Sequence, residues 1–227
     1  FSDCTQYPVF PWVVAPSLEE NRKMELPMGQ QNEKRAQHYD ETYKESLEPN
    51  KYFYGCHYSL PGAVFWFMMR VPPFSYFLWD MNEGWDDNQR MFYSINDSYL
   101  SASLINQTDL KEPIPEIYTV PELYVNLSKL DIIDDRQNVI LPDWADQSPI
   151  LFTEVFRKYL EKNDEVNCWI DLIFGYKQQG EAALKAKNLF LPSAYHSSTA
   201  DSLMIDANAY EDQVINFGQC PRQLFSK

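Results

Sequence analysis

Prolines sit inside the most apolar stretches of this sequence rather than between them. Tyr7 to Val14 is apolar or aromatic almost throughout, yet Pro8 and Pro11 fall within it. Pro113, Pro115 and Pro121 punctuate the apolar residues between Lys111 and Leu130, and Pro142 interrupts the strip from Val139 to Trp144. Proline has no backbone N–H and clashes with a preceding helical turn, so none of these runs can be a continuous helix or a central strand. Their large side chains still favour burial. The chain must therefore bury extended, irregular segments, whose N–H and C=O groups need partners other than a regular ladder.

The stretch from Trp169 to Gly180 has the opposite character. Val166, Trp169, Ile170, Ile173, Phe174 and Lys177 follow helical spacing, and Leu172 and Tyr176 widen that stripe. Gly180 is placed as the C-cap. A helix with so little polar surface is expected at the centre, wrapped by other segments. Further helices are expected over Gln30 to Leu47, Gly62 to Arg70, Asp86 or Asp87 to about Leu104, Glu122 to Asn126, and Gly180 to Asn188. Ser148 followed by Pro149 starts another, and Asp206 caps a last one that Gly218 closes. Phe74 to Trp79 reads as extended, and His196 to Asp206 as a loop. No repeat, linker or run of alternating strands divides the chain. The expected fold is one mainly α domain over residues 1–227, with helices around a core of extended, irregular, proline-rich segments.

A formal net charge of −14 argues against direct binding to nucleic acid or an anionic membrane. The best membrane candidate, Ala63 to Met69, is cut by Arg70 and Pro72-Pro73 well short of the roughly 20 residues a span needs. Cys4, Cys56, Cys168 and Cys220 form neither a C-x-x-C pair nor a tight disulfide framework, so they read as reduced thiols of a cytosolic protein, with Cys168 buried. No nucleophile elbow, phosphate-binding loop, zincin motif or calcium loop occurs. Asp86-Asp87 and Asp134-Asp135 lack the alternating ligand spacing of a calcium loop and fit caps and turns. No catalytic, cofactor-binding or metal-ligating residue is assigned.

Two readings of the remaining polar residues compete. In one, His57 and a nearby carboxylate serve a hydrolase or transferase, with Cys56 the adjacent thiol. In the other, polar residues set inside apolar motifs are internal partners for the unpaired backbone. His57, Glu122, Asp171, Asn216 and Gln219 are the candidates for that role. Lys177, Gln178 and Gln179 form a polar cluster at the end of the apolar helix and are the candidate contact surface for another protein.

Six segments resemble, in order, the signature segments of the BEACH domain family. They are Gln6-Tyr-Pro-Val-Phe-Pro-Trp-Val13, Tyr54-Gly-Cys-His-Tyr-Ser59, Ile114-Pro-Glu116 with Pro121-Glu122, Val139-Ile-Leu-Pro-Asp-Trp-Ala145, Trp169 to Gly180, and Ile215-Asn-Phe-Gly-Gln-Cys-Pro-Arg-Gln-Leu-Phe225. The resemblance implies a mostly α domain whose core segments lack regular secondary structure, preceded in larger members by a PH-like domain that packs against it and followed by WD repeats. It implies a cytoplasmic scaffold for vesicle, lysosome-related organelle or autophagy trafficking, peripheral on membranes through partners, with no catalytic activity and no cofactor. The resemblance also implies that this is a piece of a longer protein, without the twenty-odd residues with which the family domain usually starts. Three departures stand out: Asn82-Glu-Gly-Trp-Asp-Asp replaces a glycine pair followed by Phe-Asp, Phe156-Arg157 replaces His-Arg, and Leu191 to Ser197 interrupts a segment that usually continues as helix.

Overall fold

The structure is a computed structural model that describes residues 3–14, 18, 22–85, 90–132 and 137–226. Within these residues nine α-helices follow one another: α1 (Glu33–Glu45), α2 (Pro61–Phe67), α3 (Phe74–Asn82), α4 (Ile95–Leu100), α5 (Pro149–Glu161), α6 (Val166–Ile173), α7 (Gly180–Lys185), α8 (Ala200–Leu203) and α9 (Ala207–Phe217). Side chains of Asn32, Ser94, Ser148, Thr199 and Asp206 accept N–H groups at the starts of α1, α4, α5, α8 and α9. Each satisfies a donor that the first turn leaves without an intrahelical partner. Pairing of β type among the described residues is limited to three isolated parallel bridges, Tyr54 with Phe190, Ser94 with Ile140 and Tyr195 with Cys220. The fold is mainly α, as its sequence implies.

The proline-broken runs lie in the core. Trp12, Val13 and Val14 are buried, as are Ile114, Ile117, Tyr118, Leu123, Tyr124, Val139 and Leu141. Trp12 sits edge-on to Tyr99 at 5.8 Å and to Phe156 of α5 at 6.5 Å, and Tyr118 stacks on Phe156 at 4.5 Å. Pro115–Tyr118 and Pro121–Tyr124 form short 3-10 turns, which a leading proline permits and which expose few backbone groups.

Several local expectations need correction. Phe74 to Trp79 is helical: the pair Pro72-Pro73 precedes the first turn, and Phe74 and Phe77 pack on Phe65 of α2 at ring distances of 6.3 and 5.4 Å. Tertiary packing here overrides the extended preference of aromatic residues. α4 starts at Ile95 under a Ser94 cap and continues into a π-type turn at Ser101–Ile105. Asp86-Asp87 and Asp134-Asp135 lie outside the described residues. A short capped helix, α8, interrupts the expected loop between His196 and Asp206. Cys168 is half-buried rather than buried, and all four cysteines are free thiols.

The helix expected at the centre, α6, buries only Trp169, Leu172 and Ile173 and leaves Asn167 exposed, so it is one wall of the core and not a post wrapped on every side. It is also shorter than its periodicity implies. α6 ends at Ile173 with Phe174 as C-cap, and Gly180 opens α7 at φ +69° instead of closing α6. The reason lies in how its last carbonyls are bonded. The Ile170 carbonyl accepts from the Phe174 N–H, and that of Asp171 from the Lys177 N–H at 3.0 Å. The Leu172 carbonyl accepts from the Asn188 side chain at 2.8 Å, and that of Ile173 from the Gln178 side chain. The Phe174 carbonyl accepts from the N–H groups of Leu224 and Phe225 at 2.7 and 3.0 Å. These groups take the place of a further helical turn. Gly175 permits the tight exit, since a Cβ there would lie 2.7 Å from the Asp171 Cα.

Candidate partner-binding site

Buried polar side chains serve the irregular backbone throughout the core. Glu112 is 2% exposed and stands at the centre of them. Its carboxylate meets the buried Arg22 guanidinium at 2.6 Å and accepts the Trp12 N–H at 3.2 Å and the Trp169 indole N–H at 3.1 Å. One acid thereby joins the first extended run to α6. Arg35 donates to the carbonyls of Ser101, Ala102 and Asp109. Arg70 donates to those of Gln137 and Phe92. The Asn188 amide bridges the Leu172 and Lys177 carbonyls at 2.8 and 3.0 Å. Sequence reasoning missed all of these. The available signal was Glu112 directly before Pro113 at the head of an apolar run, which resembles an ordinary surface Lys-Glu pair.

His57 is buried, its Nε2 donates to the Phe217 carbonyl at 3.0 Å, and its Nδ1 accepts the Ser59 N–H at 3.3 Å. Burial pulls its pKa down to about 4, so the ring is neutral at pH 7 and both nitrogens are occupied. The Cys56 thiol donates to the Thr108 carbonyl, and burial pushes its pKa up to about 11. A protonated thiol aimed at a carbonyl beside an imidazole with no free nitrogen is not a nucleophile–base pair. Gln219 is buried too, donating to the Tyr210 hydroxyl at 2.9 Å and the Tyr195 carbonyl at 3.4 Å.

Three candidate core residues lie elsewhere. Glu122 is exposed, because the turn at Pro121 directs Leu123 and Tyr124 inward and leaves it outside. Asn216 is exposed on α9 and donates back to the Asp212 carbonyl of its own helix at 2.7 Å. The Asp171 carboxylate is half-exposed and pairs with Lys177 at 3.5 Å, so only its main chain takes part in the core.

The Lys177 cluster divides in the same way. Gln178 is 1% exposed and donates to the Ile173 and Pro221 carbonyls, which makes it an internal tie and not a contact residue. Beyond Gly175 the chain no longer follows helical spacing, so its inward and outward positions exchange. Gln179 is half-buried and donates to the Gln178 side chain at 3.2 Å. Lys177 lies over the Tyr176 ring at 5.5 Å and borders an open groove of about 600 Å³. Leu26, Gln30, Lys185 and Lys187 also line it. Lys187 pairs with Asp40, and Glu25 is the acidic residue of the lining. Three lysines meet three carboxylates around this groove, with Lys177 paired to Asp171, Lys187 to Asp40, and Glu25 in the lining, so it is a mixed-charge, partly apolar concavity that suits a polar protein surface.

Among the described residues no helix is long and apolar enough to cross a membrane. The sequence profile of the Beige/BEACH domain matches residues 1–227. The chain is similar to the lysosomal-trafficking regulator of Drosophila melanogaster, at 38% identity over 99% of this chain and 7% of that protein. It is similar to BEACH domain-containing protein B of Arabidopsis thaliana, at 36% identity over 100% of this chain and 10% of the relative. Beige protein homolog 1 of Saccharomyces cerevisiae shares 35% identity over 100% of the chain and 12% of its own length. The chain thus spans about a tenth of the length of these curated relatives. A whole-length profile match, together with a helical fold around irregular proline-rich segments, leads to one conclusion: the chain belongs to the Beige/BEACH domain family.

Proposed function

We propose that this domain is a non-enzymatic, protein-binding scaffold module in intracellular membrane trafficking. One observation carries the reading: the groups that could do chemistry are committed to the backbone. His57 has both ring nitrogens bonded, and the Cys56 thiol donates to Thr108. Relatives named as lysosomal-trafficking regulators support the trafficking context. The module acts in the cytoplasm, on vesicle or lysosomal membranes through its partners. Within the longer protein a PH-like domain precedes it and WD repeats follow. The groove beside Lys177 is the face offered to the PH-like domain, with Gln179 two residues further along the chain, while Gln178 holds that segment in place from inside.

The test is Lys177→Glu in the longer protein, with PH-like and BEACH segments expressed separately and their affinity measured by calorimetry. A weakening of about tenfold, or about 1.4 kcal/mol, supports the reading. Unchanged affinity removes the groove from it.

A further inference from the structure

α3 is apolar around nearly its whole circumference and yet lies at the surface. Of its nine residues only Ser75, Asp80 and Asn82 are polar. Ser75 and Leu78 face inward, and Phe74 and Phe77 touch Phe65 of α2. Tyr76, Phe77, Trp79 and Met81 remain 59%, 45%, 48% and 54% exposed. Single exposed apolar residues are ordinary, but four large ones on one short helix form a patch of the kind that marks an interaction site. Tyr, Phe, Trp and Met are also the residues enriched in interface cores.

The charge around this patch restricts what can cover it. From Val71 to Trp85 the charged residues are Asp80 and Glu83, both exposed, and no lysine, arginine or histidine occurs. Arg70, just before, is buried and bonded to the Gln137 and Phe92 carbonyls. An acidic peptide or an anionic bilayer meets repulsion here, added to that of a chain with a net charge of −14. A second copy would set acid against acid across the contact. We propose that α3 is a docking face for a basic amphipathic helix of a protein partner. Tyr76 with Asp80, and Phe77 with Met81, form i, i+4 ridges into which the apolar stripe of a second helix interdigitates at about 8–10 Å between axes. Lysines or arginines flanking that stripe reach Asp80 and Glu83, giving orientation as well as attraction.

The test uses a helical peptide of about 18 residues, five turns, with leucine on one face and lysine on the other. It is titrated calorimetrically against the protein at about 0.15 M salt, where screening suppresses diffuse attraction. Binding should weaken by about tenfold in the Tyr76→Ser/Trp79→Ser variant and by several-fold in Asp80→Lys. Hydrogen-exchange protection by the peptide should fall on residues 74–82. Because every substituted side chain is exposed, circular dichroism should be unchanged; if the double variant fails to fold, Asp80→Lys and the protection map decide. Equal binding by the variants, equal binding by a leucine–glutamate peptide of the same pattern, or protection elsewhere overturns the proposal. So does self-association, or flotation with neutral phosphatidylcholine vesicles, that is lost in the double variant.

Discussion

The indole N–H of Trp169 donates to the buried carboxylate of Glu112 at 3.1 Å across 57 positions of sequence. That bond ties α6 to an extended segment, and through the same carboxylate Trp12 and Arg22 are held as well. Polar groups at the core of this domain therefore do what strand ladders do elsewhere.

Replacing Glu112 by glutamine keeps the shape and removes the charge, leaving the Arg22 guanidinium buried without a counter-ion. Breaking one side of a buried pair costs about 3–5 kcal/mol. Glu112→Gln should lower the unfolding free energy in urea by that order. Replacing both members, with Arg22→Met and Glu112→Leu together, should cost less than Glu112→Leu alone, because the guanidinium left without a counter-ion is then removed as well.

Protonation of His57 makes a separate statement about pH. Its folded-state pKa, pulled down by burial to about 4, lies below the ordinary value of 6.5. Between those values the unfolded chain binds the proton and the folded one does not, so stability falls as pH drops from 6.5 to 4 and levels off below. The shift corresponds to about 3 kcal/mol. In His57→Gln, which keeps an amide donor near the Phe217 carbonyl, the pH profile of stability over this window should flatten. An unaltered profile would show that His57 is solvated.

What could be read in the sequence follows from how local its causes are. Ser148 with Pro149, and Asp206 with Gly218, mark helix ends by chemistry within one turn, and the structure places the ends there. The proline-broken runs announced an irregular core because proline excludes the alternatives. The end of α6 was not legible, since Asn188, Gln178, Leu224 and Phe225 claim its carbonyls from up to 51 positions away. Glu112 was hidden for the same reason: its partners, at 12, 22 and 169, are distant in sequence. Of the candidate site, the inward role of His57 and Gln219 followed from polar residues set in apolar motifs, whereas Gln178, expected at the contact surface with Lys177, turned inward once Gly175 re-aimed the chain.

Glu83 carries a small backbone strain. It caps α3 with φ 58°, in the left-handed region, at the place where the family has a glycine pair. A non-glycine residue there costs about 1 kcal/mol. Glu83→Gly, a change at an exposed position, should therefore stabilise the domain by about 0.5–1 kcal/mol and raise Tm by about 2 °C for a chain of this size. A drop in Tm would place a stabilising contact at the Glu83 side chain.

The most direct measurement is native-state hydrogen exchange of the core amides that lie outside helices. The Phe10 N–H donates to the Pro113 carbonyl, Trp12 to Glu112, Phe53 to Leu189, Val139 to Tyr124 and Leu191 to Tyr54. If buried polar ties and long-range backbone bonds hold the extended core as firmly as helices hold theirs, these amides exchange only through global unfolding, with the same opening free energy as the amides of Phe152 and Phe156 in α5. Exchange of Phe10, Trp12 and Leu191 by low-energy local opening, while α5 stays protected, would contradict that account.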